Sequence, residues 1–419
     1  MTPEKLFHEL LGLGMNWEVA ECEYDRVANV VRLAVKETAQ FWQVERSPEA
    51  GAAVTCYDHT EEMTWRHLDV FEYPCELRCR LPRARCTKTG KVYRVRPPWE
   101  GLSKHFTKAF EAMTLLLLRD MPVAAVARKL KEHDTRLWRM LKAHVAVALP
   151  EADWSNVCCV GCDELSVRKG HRYVSVFCDL IGKRVLVAVP GKDKSTWEEF
   201  ARALEDHHGH PRAITEVSID MSPAYIAGVK ENIGSQAAIV FDKFHVLAHV
   251  IDAVDAVRRA EMRFGGWEDR QALKETRWIW RKNPDHHTPA EERKRQRLET
   301  MNLLTAKAYQ MRLTLQDIYG LDSVAVAKRK LLAWCRWVRR TADKHKSLLF
   351  VAMRKCADMI ESHLAGILAH WTHRTTNAFM EALNSVFSAT KRKARGYRST
   401  TNLITMLYFV AGKLRLPAH

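Results

Sequence analysis

The stretch VCCVGCDELSVRKGHRYVSVFCDLIGKRVLVAVPG, residues 157–191, contains three apolar runs, VCCVGCDEL, YVSVFCDL and RVLVAVPG, divided by polar, Gly-containing turns. Each run is short, rich in Val, Cys and aromatic residues, and bounded by charge, which is the pattern of a β-strand. Downstream, helical spacing from Ser195 to His208 precedes a strand at ITEVSID (214–220), another at AAIVFD (237–242), and helix from His245 through Arg263. Three strands in sequence, then helix, strand, helix and strand, predict a mixed sheet covered by helices. The expected fold class is α/β and multidomain.

Beyond this core, a Trp- and charge-rich stretch to Leu368 carries helical spacing and few strand signals, so an all-α region is expected. Upstream, residues 16–36 alternate apolar and polar positions either side of Asp25-Arg26, which predicts a hairpin. Arg78 to Arg96 holds eight basic residues and no acid, with strand-like alternation ending at Pro97-Pro98. Helical patterns follow from Leu102 to Arg119, from Pro122 and from Thr135. Pro122 suits a first helical position, and Asp134 can cap the next helix. The pair around Lys131–Asp134 has the length and spacing of a helix-turn-helix whose second helix offers Thr135, Arg136, Arg139 and Lys142 to a DNA groove. The expected divisions are 1–98, a β-rich unit; 99–150, the helix-turn-helix; 151–263, the first part of the sheet domain; 264–368, a helical insertion; and 369–419, its C-terminal helices.

The chain has 419 residues, 47% of them hydrophobic, and a formal net charge of +16 from 66 Lys+Arg against 50 Asp+Glu. That length exceeds one ordinary core, and the apolar fraction excludes wholesale disorder. The basic surplus points to a polyanionic partner such as double-stranded DNA. Arg78, Arg80, Arg83 and Arg85 make one strand edge positive, although sheet edges also carry Lys and Arg against aggregation. No apolar window is long enough to span a bilayer, and the start, MTPEKLFHELLGLG, lacks the features of a signal peptide. Eleven cysteines, an odd number in a chain of this length, read as reduced thiols or metal ligands rather than a disulfide framework. A cytoplasmic, nucleoid-associated protein is expected.

Asp163 ends the first predicted strand and Asp220 ends ITEVSID. If those strands are neighbours, two carboxylates meet at one rim, which is costly without a hard divalent cation. Asn377, Glu381, Asn384 and Ser388 repeat on one polar helical face, so Glu381 can supply a third ligand. Three carboxylates suit magnesium or manganese and in-line displacement at phosphate. Lys391, Arg392, Lys393, Arg395 and Arg398 follow Glu381 and can hold a strand's phosphates, as can Arg168, Lys169 and His171 beyond Asp163. The plain alternatives are capping acids, a charged hairpin turn and a solvated basic tail. Trp278, Trp280, Trp334 and Trp337 are expected in a helical core.

In their order, GCDELSVRKGHRYVSVFCDL (161–180), SIDMSPAYIAGVKENI (218–233), VFDKFHVLAHVIDAV (240–254) and TTNAFMEALNSVFSATKRKARGYRSTTNLI (375–404) resemble the signature blocks of the insertion-sequence transposase family ISL3. The resemblance implies an RNase H-like core with a DDE triad at Asp163, Asp220 and Glu381. It also implies a helical insertion before the glutamate, which follows Asp220 by 161 positions. Asp242 and His245 resemble a motif near the family's active site. The implied activity is Mg²⁺- or Mn²⁺-dependent cleavage at terminal inverted repeats and strand transfer into target DNA, by a homodimer or larger assembly. A non-catalytic DNA-binding regulator and a nuclease without strand transfer remain open. The chain departs from the family's zinc finger, because SPEAG (47–51) stands where a Cys-Pro-x-Cys-Gly knuckle is expected. Cys86 fits a later ligand position, but its partner is replaced within TKTG (87–90). Cys56, His59, Cys75 and Cys79 offer only irregular spacing, so structural zinc is not expected. Cys158, Cys159 and Cys162 read as core thiols.

Overall fold

The structure, a computed structural model, describes residues 2–168, 172–344, 348–373, 378–397 and 399–417, without the side chains of residues 168, 172 and 378–381. The chain is mixed α/β with two mixed sheets. It forms two compact units, Met1–Ala152 with Phe387–His419, and Asp153–Val386.

In the first unit, helix α1 (Pro3–Leu11) is capped by Thr2 and followed by β1 (Trp17–Asp25) and β2 (Val30–Glu37), the expected hairpin. Its turn closes because Asp25 Oδ1 accepts the N–H groups of Val27 and Ala28 at 2.9 and 3.0 Å. After the short α2 (Phe41–Val44) come β3 (Val54–Val70), β4 (Tyr73–Cys86) and β5 (Val92–Arg94). The strand order is β1-β2-β4-β3, with β5 also pairing β4 and with β2 and β4 parallel. Alternate residues Val31, Leu33 and Val35 are buried with Cys75, Leu77, Cys79 and Leu81 against Trp17, Trp65 and Trp99. The Trp17 and Trp65 rings meet the Trp99 ring edge-on, at 5.0 and 5.9 Å.

Helix α3 (Lys108–Asp120) begins six residues later than its apolar pattern suggests. The cause is Glu111, whose buried carboxylate accepts the N–H groups of Leu102 and Ser103 at 2.8 and 2.7 Å, and lies 2.9 Å from His144 Nε2. Those bonds hold residues 102–107 as a loop. Then come α4 (Val123–Lys129) and α5 (Asp134–Ala148). Pro122 occupies the N-cap of α4 rather than its first turn, and His133, not Asp134, is the N-cap of α5.

The second unit opens with β6 (Cys159–Arg168), β7 (Arg172–Asp179) and β8 (Arg184–Pro190), an antiparallel meander. Helix α6 (Ser195–Asp206), β9 (Glu216–Ile219), α7 (Pro223–Asn232) and β10 (Ala238–Phe241) follow. The sheet order is β10-β9-β6-β7-β8, with β9 parallel to both β6 and β10. Phe177 stacks on Phe200 at 4.6 Å and meets Trp197 edge-on at 4.9 Å, which seats α6 on the sheet. Gly228 of α7 permits this packing, since a Cβ there would lie 2.4 Å from Trp197 Cδ1.

The all-α region comprises α8 (Lys243–Phe264), α9 (Trp267–Ala272), α10 (Arg277–Arg281), α11 (Pro289–Thr300), α12 (Leu304–Ile318), α13 (Val324–Lys344), α14 (Val351–Ser362) and α15 (Leu364–His373). Buried Glu261 accepts the N–H groups of Leu304 and Thr305 at 2.7 and 2.8 Å, capping α12 with a carboxylate from α8. The tryptophans divide: Trp280 and Trp334 are core, whereas Trp278 is 61% and Trp337 41% exposed. The latter two face outward on helices that bury only one stripe, which corrects the expectation of a single Trp core. Helix α16 (Ala378–Lys393) and α17 (Thr400–Ala411) end the chain, with α17 packed on α5. No helix among the described residues is long and apolar enough to cross a membrane.

Candidate active site and nucleic-acid interface

The parallel ladder between β6 and β9 pairs Cys159 with Glu216, Val160 with Val217 and Gly161 with Ser218. Asp163 and Asp220 each follow the last of these pairs by two residues, Asp163 within β6 and Asp220 one residue past the end of β9. Asp163 does not end its strand as expected. β6 runs on to Arg168 because β7 keeps pairing with it, Asp163 opposite Val176, after β9 has departed. β9 stops because Asp220 Oδ1 accepts the Ser222 N–H at 2.9 Å and Pro223 starts α7. On the next strand over, Phe241 pairs with Ile219, and Asp242 follows as the N-cap of α8, accepting the Phe244 N–H at 3.0 Å. His245 Nε2 lies 3.9 Å from Asp242 Oδ2.

Acids dominate this rim. Asp163 Oδ1 accepts the Glu164 N–H at 2.7 Å, and its Oδ2 accepts Asn384 Nδ2–H of α16 at 2.6 Å. The Glu164 carboxyl is pushed up by burial and by the charges of Asp220 and Asp163, against the pull of Lys192 and His245. Burial, with the charge of Asp163, drives the Cys162 thiol well up. The Tyr225 hydroxyl, 2.7 Å from Ser175 Oγ, rises for the same first reason. The donors are hard oxygens, so a divalent cation fits the chemistry of the cluster. Among the described side chains no three His, Cys, Asp or Glu groups converge closely enough to hold a metal. Glu381 lies in α16, but its side chain is outside the described residues. Asn384 and Glu164 are additions that the sequence reading did not assign. Asn384 had a signal in its polar spacing behind Glu381, and Glu164 had none apart from adjacency.

The basic residues sort into outward and anchored sets. On β4, Arg80 is exposed, and Arg85 is exposed and lies over the Tyr57 ring at 4.4 Å. Arg83 is paired with Asp58, Nε to Oδ1 at 2.6 Å, and Arg78 lies 3.5 Å from Glu76 and 3.9 Å from Glu62. On α5, Thr135 and Arg139 are exposed and Lys142 is half-buried. Arg136 instead donates to Glu132 at 2.7 Å and lies 4.6 Å above the Phe106 ring, bracing the turn rather than facing a groove. Lys391, Arg392 and Lys393 form the last turn of α16, and Arg395 follows at φ 54°. Lys169, His171 and Arg398 lie outside the described residues, as does the Arg168 side chain.

The knuckle positions also come together. Ser47–Gly51 and Cys86–Gly90 are matching turns, each closed by a bond from the glycine N–H to the first carbonyl, at 2.8 and 2.9 Å, with both glycines at positive φ. Hydrogen bonds from Thr89 and Ser47 pull the Cys86 thiol down to about 7. Ser47, Cys86 and Thr89 thus bring together one thiol and two hydroxyls, and Ala50 holds in the first turn the place of Thr89 in the second, a set of side chains that does not fit zinc. Cys75 and Cys79 are buried in the sheet core and pushed up to about 12 by burial, while Cys56 is exposed.

Two family models match this chain. One, described as a transposase of the DDE type in family ISL3, covers residues 160–407, and the other, the helix-turn-helix domain of transposase family ISL3, covers residues 103–145. The chain is 28% identical to the transposase for insertion sequence element IS1001 of Bordetella parapertussis, over 95% of this chain and 96% of that protein. It is 26% identical to the transposase for insertion sequence element IS1557 of Mycobacterium tuberculosis, over 97% of this chain and 95% of that one. With a family match over residues 160–407 and a matched helix-turn-helix ahead of it, this chain belongs to the insertion-sequence transposase family ISL3.

Proposed function

We propose that the protein binds the terminal inverted repeats of its element and carries out metal-dependent DNA cleavage and strand transfer through Asp163, Asp220 and Glu381. The observation that carries this reading is that Asp163 and Asp220, each two residues past the last β6–β9 ladder pair, both bear on the Glu164 carboxyl. The strand sequence, an antiparallel meander extended by two parallel strands, fits an RNase H-like core within the Asp153–Val386 unit, with 264–368 as its helical insertion.

Asp163 and Asp220 would hold Mg²⁺ or Mn²⁺ with Glu381. Such an ion, when bound, supplies a Lewis acid that activates a water or hydroxyl and stabilises the leaving oxygen. The protein's own part is orientation. Backbone and amide donors fix Asp163, and the Asx turn at Ser222 fixes Asp220. In the first step a water oxygen forms a bond to phosphorus as the bond to the 3′ oxygen breaks. In the second, the freed 3′-hydroxyl attacks a target phosphodiester and displaces its 3′ oxygen. Arg80, Arg85, Thr135, Arg139, Lys142, Lys391–Lys393 and Arg395 would contact DNA phosphates and the end sequence. Pairing two ends requires two protomers or more.

The experiment is cleavage of labelled element ends in Mg²⁺ by D163N, D220N and E381Q. Each is expected to bind ends as the wild type does and to give neither nick nor joined product. Wild-type cleavage by any one of them removes that residue from the site.

A further inference from the structure

Asp163 is held from two sides. Its Oδ1 accepts the backbone N–H of Glu164 at 2.7 Å, and its Oδ2 accepts Asn384 Nδ2–H at 2.6 Å. The two partners arrive from different elements, β6 and α16, which are 221 residues apart at this contact. Together they restrict rotation of the carboxylate about both its side-chain torsions. Asn384 follows Glu381 by three positions on α16, so a bond at 384 also sets how far Glu381 stands from β6, about 4.5 Å along the axis from the fixed point.

The choice of an amide matters. A lysine or arginine here would neutralise Asp163 and compete with a cation, whereas an amide restrains the carboxylate and leaves its charge intact. Each carboxylate oxygen has two lone pairs, so Oδ2 can keep the amide and still face a cation. Leu383, 5% exposed, packs the helix from the adjacent position, and Asn384 itself is half-buried, so the contact is partly screened from water.

We propose that Asn384 is a positioning residue for the carboxylate site: it clamps Asp163 in the orientation that receives the divalent ion and docks the Glu381-bearing helix on β6. This rests on the reading of Asp163 as a metal ligand given above.

The test measures Mn²⁺ binding to full-length protein without DNA, by electron paramagnetic resonance of free Mn²⁺, for wild type, N384L, N384D and D163N. N384L is expected to weaken binding about ten-fold, the scale of a hydrogen bond to a charged group, with end binding and melting temperature unchanged. In cleavage assays N384L should recover most of its kcat at saturating Mn²⁺, so that the defect lies in the metal requirement. N384D, which faces Asp163 with an acceptor, should show faster amide exchange along 382–393 without metal and regain protection when Mn²⁺ is added. If D163N loses Mn²⁺ while N384L binds it as tightly as wild type or tighter, Asn384 does not position the site and the carboxylate reading stands. If D163N binds like wild type, the carboxylate reading itself fails.

Discussion

Asp163 on β6 and Asp220 just past the end of β9 each follow the Gly161–Ser218 ladder pair by two residues. The charges of both acids oppose ionisation of the neighbouring Glu164 carboxyl, which burial raises first. Removing one charge should therefore stabilise the metal-free protein. D220N keeps the side-chain oxygen that accepts the Ser222 N–H and relieves Glu164 of one opposing charge, so it is expected to melt higher than the wild type without metal. Mg²⁺ should raise the melting temperature of the wild type and leave that of D220N unmoved. Thermal melts with and without Mg²⁺ check both halves; a D220N protein less stable than wild type in EDTA would mean the acids do not repel.

Arg136 and Arg139 lie three residues apart on α5 and do different things. Arg136 is spent on Glu132 and Phe106, whereas Arg139 is exposed. R136A should lose about 1–2 kcal/mol of stability through a broken ion pair and cation–π contact beside a buried carboxylate. R139A should stay within about 0.5 kcal/mol of wild type. In DNA binding the order reverses: R139A should weaken binding to element ends and lower the salt slope by about 1 if it meets a phosphate. Denaturant titration and binding at several salt concentrations separate the two.

Local chemistry explains which parts of this molecule were legible. The meander of β6, β7 and β8 was readable because each strand is an apolar run cut off by charge and Gly, and α6, β9, α7 and β10 followed in the expected order. The end of β6 was not, because strand length depends on whether β7 continues to pair, a non-local fact. The late start of α3 depends on where the Glu111 carboxylate points. Likewise, spacing placed Asn384 on a polar face but could not name a partner 221 residues away. Trp278 and Trp337 fall outside the expected Trp core because α10 and α13 each bury one side and leave the other to solvent.

His67 provides a pH dependence. Burial first, and then the Arg66 charge, lower its imidazole to about 4 from 6.5. Thr107 Oγ1 lies 2.9 Å from Nδ1 and already accepts the Phe110 N–H, so its hydroxyl hydrogen is available to a neutral ring. The folded state therefore resists a proton that the unfolded chain takes up below pH 6.5. This contribution to stability is complete above 6.5 and is lost as pH falls toward 4, by roughly 3 kcal/mol in total. In H67N, which retains an acceptor for Thr107 and cannot titrate, the slope of stability over that window should be shallower. Urea unfolding at pH 7.5, 6 and 5 measures it, and parallel slopes for the two proteins would rule out His67 as the source.

The two knuckles give the last prediction. Their turns match and their first residues meet, yet only Cys86 carries a thiol; Thr87 N–H and Oγ1–H both donate to Ala53 O, at 3.1 and 2.8 Å, and Lys91 Nζ donates to Glu49 at 2.7 Å. Hydrogen bonds and an ion pair thus tie the turns together at a place where other members of the family are expected to use a metal. Purified wild-type protein should carry no stoichiometric zinc, and EDTA should leave its melting temperature and end binding unchanged. Because the folded Cys86 thiol sits at about 7 instead of 9, its contribution to stability is present above pH 9 and fades as pH falls through 7, a trend absent in C86S. The combined S47C, A50C and T89C variant puts thiols at corresponding positions of the two matching turns, and should bind one zinc ion per chain and melt higher with it than without. Zinc content by plasma mass spectrometry and paired melts decide it: a triple variant that takes up no zinc would mean the four positions are not arranged as a ligand cage.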